Sequence, residues 1–298
     1  MEKRKKEKQL VIKDNSLIQV SKMTMALNEM KAFSYIIAQI PDFNDIQSDK
    51  FISFRKADFC RACDIEEGNG GNNAHLKRTL RKLLQRVVEI DTNDKWEAFQ
   101  VLSKAEIIYN SETVRVKIND SMKPLIYNLK ERFTTYQLEN VLALKSKYAF
   151  RLYEWLKSFH TGEAVCYIGK LKTLFGVKYQ RTIDLIKFCV EPAVAEINAK
   201  TDLFVSYTRK KTGRVVSALS FNIKEKSELE AIDVTEDPSQ EFKIVHIEHD
   251  GTPTTIIKEK KDDIQNLINE KGFEKEKTMI FQIINEDSVN ISEQFVLN

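Results

Sequence analysis

The chain has 298 residues, enough for about two domains of ordinary size, and its 42% hydrophobic and 31% charged residues exclude a disordered chain. No apolar run approaches the roughly 20 residues of a bilayer crossing, and the charged start MEKRKKEKQL has no apolar segment behind it, so a cytoplasmic protein without membrane contact is expected. The formal net charge of +3 hides an asymmetry: residues 1–224 hold 39 Lys and Arg against 26 Asp and Glu, a balance of +13, whereas residues 225–298 hold 8 against 18, a balance of −10. A basic body with an acidic tail predicts a polyanionic partner for the body, with nucleic acid the leading candidate.

In chain order, LNEMKAFSYIIAQI (27–40) has apolar residues at helical spacing and stops before Pro41. A short alternating strand, FISFR (51–55), and a short helix ending at Asp64-Ile65 follow. A Gly-Asn loop, GNGGNN (68–73), opens a longer helix, NNAHLKRTLRKLLQRVVEI (72–90). The runs AFQVLSKAEIIY (98–109) and TVRVKI (113–118), separated by Asn110-Ser111, predict a hairpin. The second half repeats this order. A helical run (133–159) precedes a strand around AVCYI (164–168), a short helix ending GKLKTLFGV (169–177) and a long helix, QRTIDLIKFCVEPAVAEINAK (180–200). A hairpin, 203–210 and 214–223, turns at Thr212-Gly213. Asp64-Ile65 corresponds to Gly176-Val177, and Glu89-Ile90 to Glu196-Ile197, so the unit is duplicated.

Helix, strand, helix, longer helix and hairpin is the order of a winged helix, a helix-turn-helix with a β-wing. The predicted fold class is therefore α+β: two tandem winged-helix domains plus an acidic C-terminal extension. The boundaries are 1–122, 123–226 and 227–298. A long helix of this kind can place its first two turns in the major groove while the wing meets the flanking backbone. Lys77, Arg78, Arg81, Lys82 and Arg86 lie on the first long helix, opposite an apolar stripe of Leu76, Leu80, Leu83, Leu84 and Val87. On the second, Ile183, Ile186 and Val190 form the stripe, leaving Gln180, Arg181, Asp184 and Lys187 to face outward. The second wing tip, TRKKTGR, clusters Arg209, Lys210, Lys211 and Arg214 around a tight turn. A single charge run is usually a solvated surface; basic residues on both long helices and a wing tip together favour DNA.

These stretches resemble the iteron-binding replication initiators of theta-replicating plasmids, a double winged-helix family, from about residue 10 to residue 224. The resemblance rests on KDNSLIQVSKMTMALNEMKAFSYIIAQI, LKRTLRKLLQRVVEI, KSKYAFRLYEWLKSF and the run from TIDLIKFCVEPAVAEIN to GRVVSALSFNIK. The most distinctive strings are Lys-Ser-Lys-Tyr then Leu-Tyr-Glu (145–154) and Glu-Ile-Asn (196–198). The resemblance implies a division of labour. The second winged helix reads bases in repeated origin sites, and the first holds phosphates and takes part in dimerisation. It makes Gln180, Arg181, Thr182 and Asp184 base readers, and Lys178, Lys187, Arg209, Lys210, Lys211 and Arg214 phosphate contacts. Lys77, Arg78, Arg81 and Lys82 would grip the backbone from the first domain. The partners implied are double-stranded DNA (iterons for the monomer, an operator for the self-repressing dimer), a second copy of the chain, and the host initiator and replicative helicase. The competing reading is a tandem winged-helix transcriptional regulator. Pro192 falls inside the second long helix but beyond its first two turns, so base reading is expected to survive it.

After Lys224 the resemblance fades. DDIQNLINEK (262–271) and KTMIFQII (277–284) have helical patterns, and the tail is expected to be an acidic, partly flexible appendage rather than a partner-binding module. His246, His249 and Asp250 sit on a run that alternates like a strand end, and surface histidines are expected rather than a metal site. Cys60 and Cys63 form a C-x-x-C with no second pair at zinc spacing, so buried small hydrophobes are expected. No catalytic chemistry or cofactor is expected. A rolling-circle initiator needs a His-x-His pair, and a phosphate-binding loop needs G-x-x-x-x-G-K-[ST], which Gly162 to Gly169-Lys170-Leu171 does not satisfy. There is no G-x-S-x-G or H-E-x-x-H, and the carboxylates of the basic body are scattered.

Overall fold

The repeated order of the sequence reappears as repeated topology in a computed structural model. It describes residues 9–22, 24–45, 50–65, 73–92, 94–159, 162–226, 241–247, 253–258, 261–273, 278–284 and 287–290. The first repeat runs β1 (Leu10–Asp14), α1 (Asn15–Gln19), α2 (Leu27–Ala38), β2 (Ile52–Arg55), α3 (Lys56–Ala62), α4 (Ala74–Gln85), β3 (Val87–Asp91), β4 (Trp96–Gln100), β5 (Leu102–Ile107) and β6 (Thr113–Ile118). After a 3₁₀ turn at Asp120–Leu125, the second runs β7 (Phe133–Gln137), α5 (Leu138–Ala143), α6 (Lys147–Lys157), β8 (Gly162–Tyr167) and α7 (Ile168–Phe175). It continues through α8 (Thr182–Leu185), a π turn (Ile186–Val190) and α9 (Glu191–Lys200) to β9 (Leu203–Thr212) and β10 (Val215–Glu225). Each repeat builds an antiparallel three-stranded sheet of the same order, β2-β6-β5 and β8-β10-β9. The repeats join through their equivalent first strands, β1 pairing antiparallel with β7 from Leu10↔Gln137 to Asp14↔Phe133.

The helix-turn-helix corner is repeated down to its hydrogen bonds. Asp64 (φ 52°) and Gly176 (φ 63°) both turn left-handed just after α3 and α7, a conformation in which a helix end reuses its last carbonyls. The next residue closes the same six-residue loop in each: Ile65 N–H donates to Cys60 O at 2.9 Å, and Val177 N–H to Lys172 O at 3.0 Å. The correspondence expected at Glu89-Ile90 and Glu196-Ile197 does not hold. The first long helix stops at Gln85, Arg86 turns extended (φ −74°, ψ 127°), and residues 87–91 form β3, paired with β4. Val87-Val88-Glu89-Ile90 is rich in β-branched side chains, which prefer a pleated, half-buried surface. Val87 is therefore exposed rather than part of the helical stripe.

The other departures have equally local causes. The run 98–109 breaks at Val101, because β4 pairs back onto β3 while β5 pairs with β6. The helix expected over 133–159 is a strand and two helices: Thr134 and Tyr136 alternate into the core from β7, and Ser146 restarts the chain as the cap of α6. Pro192 has no N–H to give Phe188 O. The helix passes it by widening into the π turn, Glu191 N–H donating five residues back to Ile186 O.

The second compact unit, Glu225–Asn298, contains β11 (Glu241–Ile247), β12 (Pro253–Lys258), α10 (Lys261–Lys271), β13 (Thr278–Ile284) and β14 (Asp287–Asn290), with antiparallel sheet order β12-β11-β13-β14. The helix expected at 277–284 is corrected to a strand. Thr278 and Ile280 are buried in a strand, Ile280 lies opposite Ile244, and these two pack with Ile264, Ile268 and Phe273 in a core of their own. Among the described residues, no helix is long and apolar enough to cross a membrane.

Candidate nucleic-acid interface

The frame beneath the candidate residues is fixed by part-buried and exposed polar contacts that use the strings most typical of the family resemblance. Ser146 Oγ accepts from the Tyr148 and Ala149 N–H groups at 3.1 and 3.4 Å, capping α6. Glu196, on α9, accepts from the backbone N–H of Lys145 at 2.6 Å and of Ser146 at 3.0 Å, and from Lys200 Nζ at 2.7 Å. Burial pushes the Glu196 carboxyl up, but these donors hold it below the usual carboxylate range. Asn198 exchanges two hydrogen bonds with the Val205 backbone at 2.8 and 2.7 Å, fastening the end of α9 to β9. The motifs 145–154 and 196–198 thus hold the long helix against the wing rather than reach outward.

A second, buried network joins the repeats. Lys13 Nζ on β1 donates to Glu154 Oε1 at 2.6 Å and to Ser34 Oγ at 3.0 Å, and Tyr136 OH donates to Glu154 Oε1 at 2.6 Å. Arg151 lies 3.7 Å from Glu154 Oε2, and the Lys13 ammonium sits 5.0 Å from the Phe33 ring centroid. Lys13, Glu154 and Arg151 are all buried. Burial raises the Glu154 carboxyl, but the Lys13 and Arg151 charges outweigh it and keep the group below its ordinary value.

On this frame the second repeat presents its basic residues at the start of the long helix and at the wing. Lys178, Gln180 and Arg181 are exposed, and Thr182 and Asp184 half-buried. Arg181 occupies the N-cap position with extended backbone (φ −92°, ψ 129°), its side chain 75% exposed and 3.8 Å from Asp184 Oδ2. Lys187 is exposed one turn on. At the wing, Gly213 (φ +61°) makes the turn. Arg209 and Lys210 contact carboxylates, Glu191 at 3.5 Å and Glu163 at 3.1 Å. Lys178, Lys187, Lys211 and Arg214 have no carboxylate partner among the described residues.

In the first repeat, Lys77, Arg78 and Arg81 are exposed on α4, with Lys77 Nζ 5.0 Å from the Tyr109 ring centroid. Arg78 and Lys82 line an open polar cleft with Asn28, Asp64, Ile65, His75 and Thr79. Lys82 lies 3.5 Å from Glu29, and Arg86 grips the same carboxylate with two bonds of 2.7 and 3.0 Å. Glu29 is fully buried; burial pushes its carboxyl up, but Arg86, the Ala26 N–H and the Lys82 charge together hold it low. Arg86 is therefore an internal latch of α4 onto α2.

In the second long helix, sequence periodicity misplaced Ile183. Assigned to the apolar stripe, it is 41% exposed, whereas Leu185, Ile186, Cys189 and Val190 are buried. Phe188 is exposed too, with its ring stacked near Tyr179 at 6.4 Å. The only available signal was that Leu185 and Cys189 compete for the inward face. Cys60 and Cys63 are buried, as expected. His246 is half-buried rather than on the surface: it stacks on Phe273 at 4.2 Å and bonds Thr278 Oγ1 at 2.9 Å. His249 and Asp250 lie outside the described residues. Among the described residues no group of three or more His, Cys, Asp or Glu is placed to hold a metal ion.

Comparison with known proteins agrees with this architecture. A family profile described as "Initiator Replication protein, WH1" matches residues 10–157, and one described as "Initiator Rep protein, WH2" matches residues 167–223. A replication initiation protein of Escherichia coli is 24% identical over 259 residues, covering 83% of this chain and 78% of its own. The solved structure of the Pi initiator protein, in complex with iteron DNA, superimposes with a TM-score of 0.59 at 19% identity, over 72% of this chain and 96% of its own. With both winged-helix profiles matched in order across the duplicated body, the chain belongs to the initiator replication protein family.

Proposed function

We propose that the protein starts plasmid replication by binding repeated double-stranded origin sequences, with no catalytic chemistry of its own. In this reading residues 123–226 read bases and residues 1–122 hold phosphates and contribute to dimerisation, while residues 227–298 form an appended acidic unit. The observation that carries it is the placement of uncompensated charge. Lys178, Lys187, Lys211 and Arg214, without carboxylate partners among the described residues, lie on the two elements of a winged helix that meet a duplex. Gln180 and Arg181 stand exposed at the helix start, and both residue types hydrogen-bond base edges in the major groove. The iteron DNA bound by the Pi initiator supports the same ligand class for this chain. Monomers on the repeats would open the origin with the host initiator and helicase, and dimers on an operator would repress the chain's own gene. This work belongs to the cytoplasm.

Footprinting on the DNA flanking the protein's own gene, at near-physiological salt, tests the reading. Evenly spaced protection over direct repeats is expected. A single palindromic footprint would contradict iteron binding, and no protection would contradict DNA recognition altogether.

A further inference from the structure

Ile183 is an apolar side chain in a place where packing does not account for it. It is 41% exposed on the outer face of the helix that begins at Thr182, one turn before Lys187, and it joins neither of the two apolar clusters formed by the described residues. Phe188, the other large apolar side chain exposed on this helix, differs in having the Tyr179 ring beside it. A lone exposed aliphatic residue is ordinary on a protein surface. Here its neighbours are Lys178, Gln180, Arg181 and Lys187, with Asp184 the one acid among them, and Asp184 is already drawn toward Arg181. A surface this basic repels the basic face of another protein and attracts phosphate, so charge complementarity selects a nucleic acid as the occupant.

In the major groove, the apolar feature that distinguishes one base pair from another is the C5-methyl group of thymine. We infer that Ile183 is a specificity-determining residue of the long helix, packing against a thymine methyl while Arg181 and Gln180 address polar base edges beside it. This inference rests on the DNA-binding reading above and adds a predicted feature of the target, a thymine at a fixed place in each repeat. Its chemistry is burial alone. One methyl removed from water is worth about 0.8 kcal/mol, a change of about four-fold in affinity.

The test uses the full-length protein and duplexes of the footprinted repeat in which each thymine in turn is replaced by deoxyuridine, which lacks only the methyl. The wild-type protein is expected to lose about four-fold at one position, with non-specific DNA unaffected. Ile183→Ala should be about four-fold weaker on the all-thymine duplex and indifferent to deoxyuridine at that position, whereas Arg181→Ala should remain sensitive to it. Because the side chain is exposed, Ile183→Ala should melt at the wild-type temperature, which separates a binding effect from misfolding. Wild-type protein indifferent to deoxyuridine everywhere, or Ile183→Ala as sensitive as wild type, would overturn the inference and leave DNA binding standing. Failure to prefer any repeat duplex over random DNA would overturn both.

Discussion

Two arginines show how the same side chain serves opposite ends. Arg86 and Arg181 each stand at the boundary of a long helix, and charge counting puts both in the basic face. Arg86 directs its donors to Glu29, a carboxylate with no exposure, so Arg86→Ala leaves that buried charge with the Ala26 N–H at 3.2 Å and Lys82 at 3.5 Å. A loss of about 2 kcal/mol in denaturant unfolding is expected, since stranding one member of a buried pair is among the costliest single changes. DNA affinity per folded molecule should be unchanged. Arg181 is exposed and holds only a long contact to Asp184. Arg181→Ala should leave stability within about 0.5 kcal/mol while weakening specific binding by roughly 1–3 kcal/mol and sparing non-specific binding. Equal losses on specific and random DNA would make Arg181 a phosphate contact. The residue type and spacing were legible in the chain; which arginine was already engaged was not, because Glu29 lies 57 positions away.

At the scale of elements, the wing divides its cations by whether a neighbouring carboxylate reaches them. Arg209 and Lys210 share theirs with Glu191 and Glu163, whereas Lys211 and Arg214 flank the Gly213 turn without one among the described residues. Only an unpaired cation can give its full charge to phosphate. Lys211→Ala and Arg214→Ala should each lower affinity for every sequence and reduce the slope of log affinity against log salt by about one. Lys210→Ala should change it less, and an unchanged slope for Lys211→Ala would remove the wing tip from the interface. The helix-turn-helix corners and the second wing were readable in sequence because local rules govern them: left-handed turns at Asp64 and Gly176, and the tight turn at Thr212-Gly213. The long helices were read less well. A helical period runs on through Val87-Val88-Glu89-Ile90, whose β-branched side chains and pairing with β4 make it a strand. In the second repeat the π turn before Pro192 lies between Ile183 and Val190, the residues from which the stripe was read.

At the scale of the whole molecule stand the charged joint between the repeats and the acidic unit that follows them in sequence. In the joint, Glu154 faces two buried cations, Lys13 and Arg151. Lys13→Met still leaves Glu154 with Arg151, but Glu154→Leu strands both cations. Glu154→Leu should therefore be the more destabilising by denaturant unfolding, at about 3–5 kcal/mol; equal losses would mean that Arg151 takes no share in the pairing. The acidic unit was invisible as a fold in sequence, because its core, among the described residues, joins buried apolar side chains from segments 36 positions apart at the extremes, Ile244 to Ile280. It is a compact unit distinct from residues 1–224, and the body's long helices and wings all lie before it in sequence. A chain ending at Lys226 should keep the melting transition of the body and the same protected repeats. It would also shed the whole of the −10 charge balance, since Glu225 and Lys226 cancel. Like-charge repulsion between that unit and phosphate acts over about 10 Å at 0.1 M salt and about 30 Å at 0.01 M. Truncation should therefore raise non-specific affinity at low salt and change it little near 0.15 M, which filter binding over a salt series can read. Loss of specific protection would instead make residues 227–298 part of recognition itself.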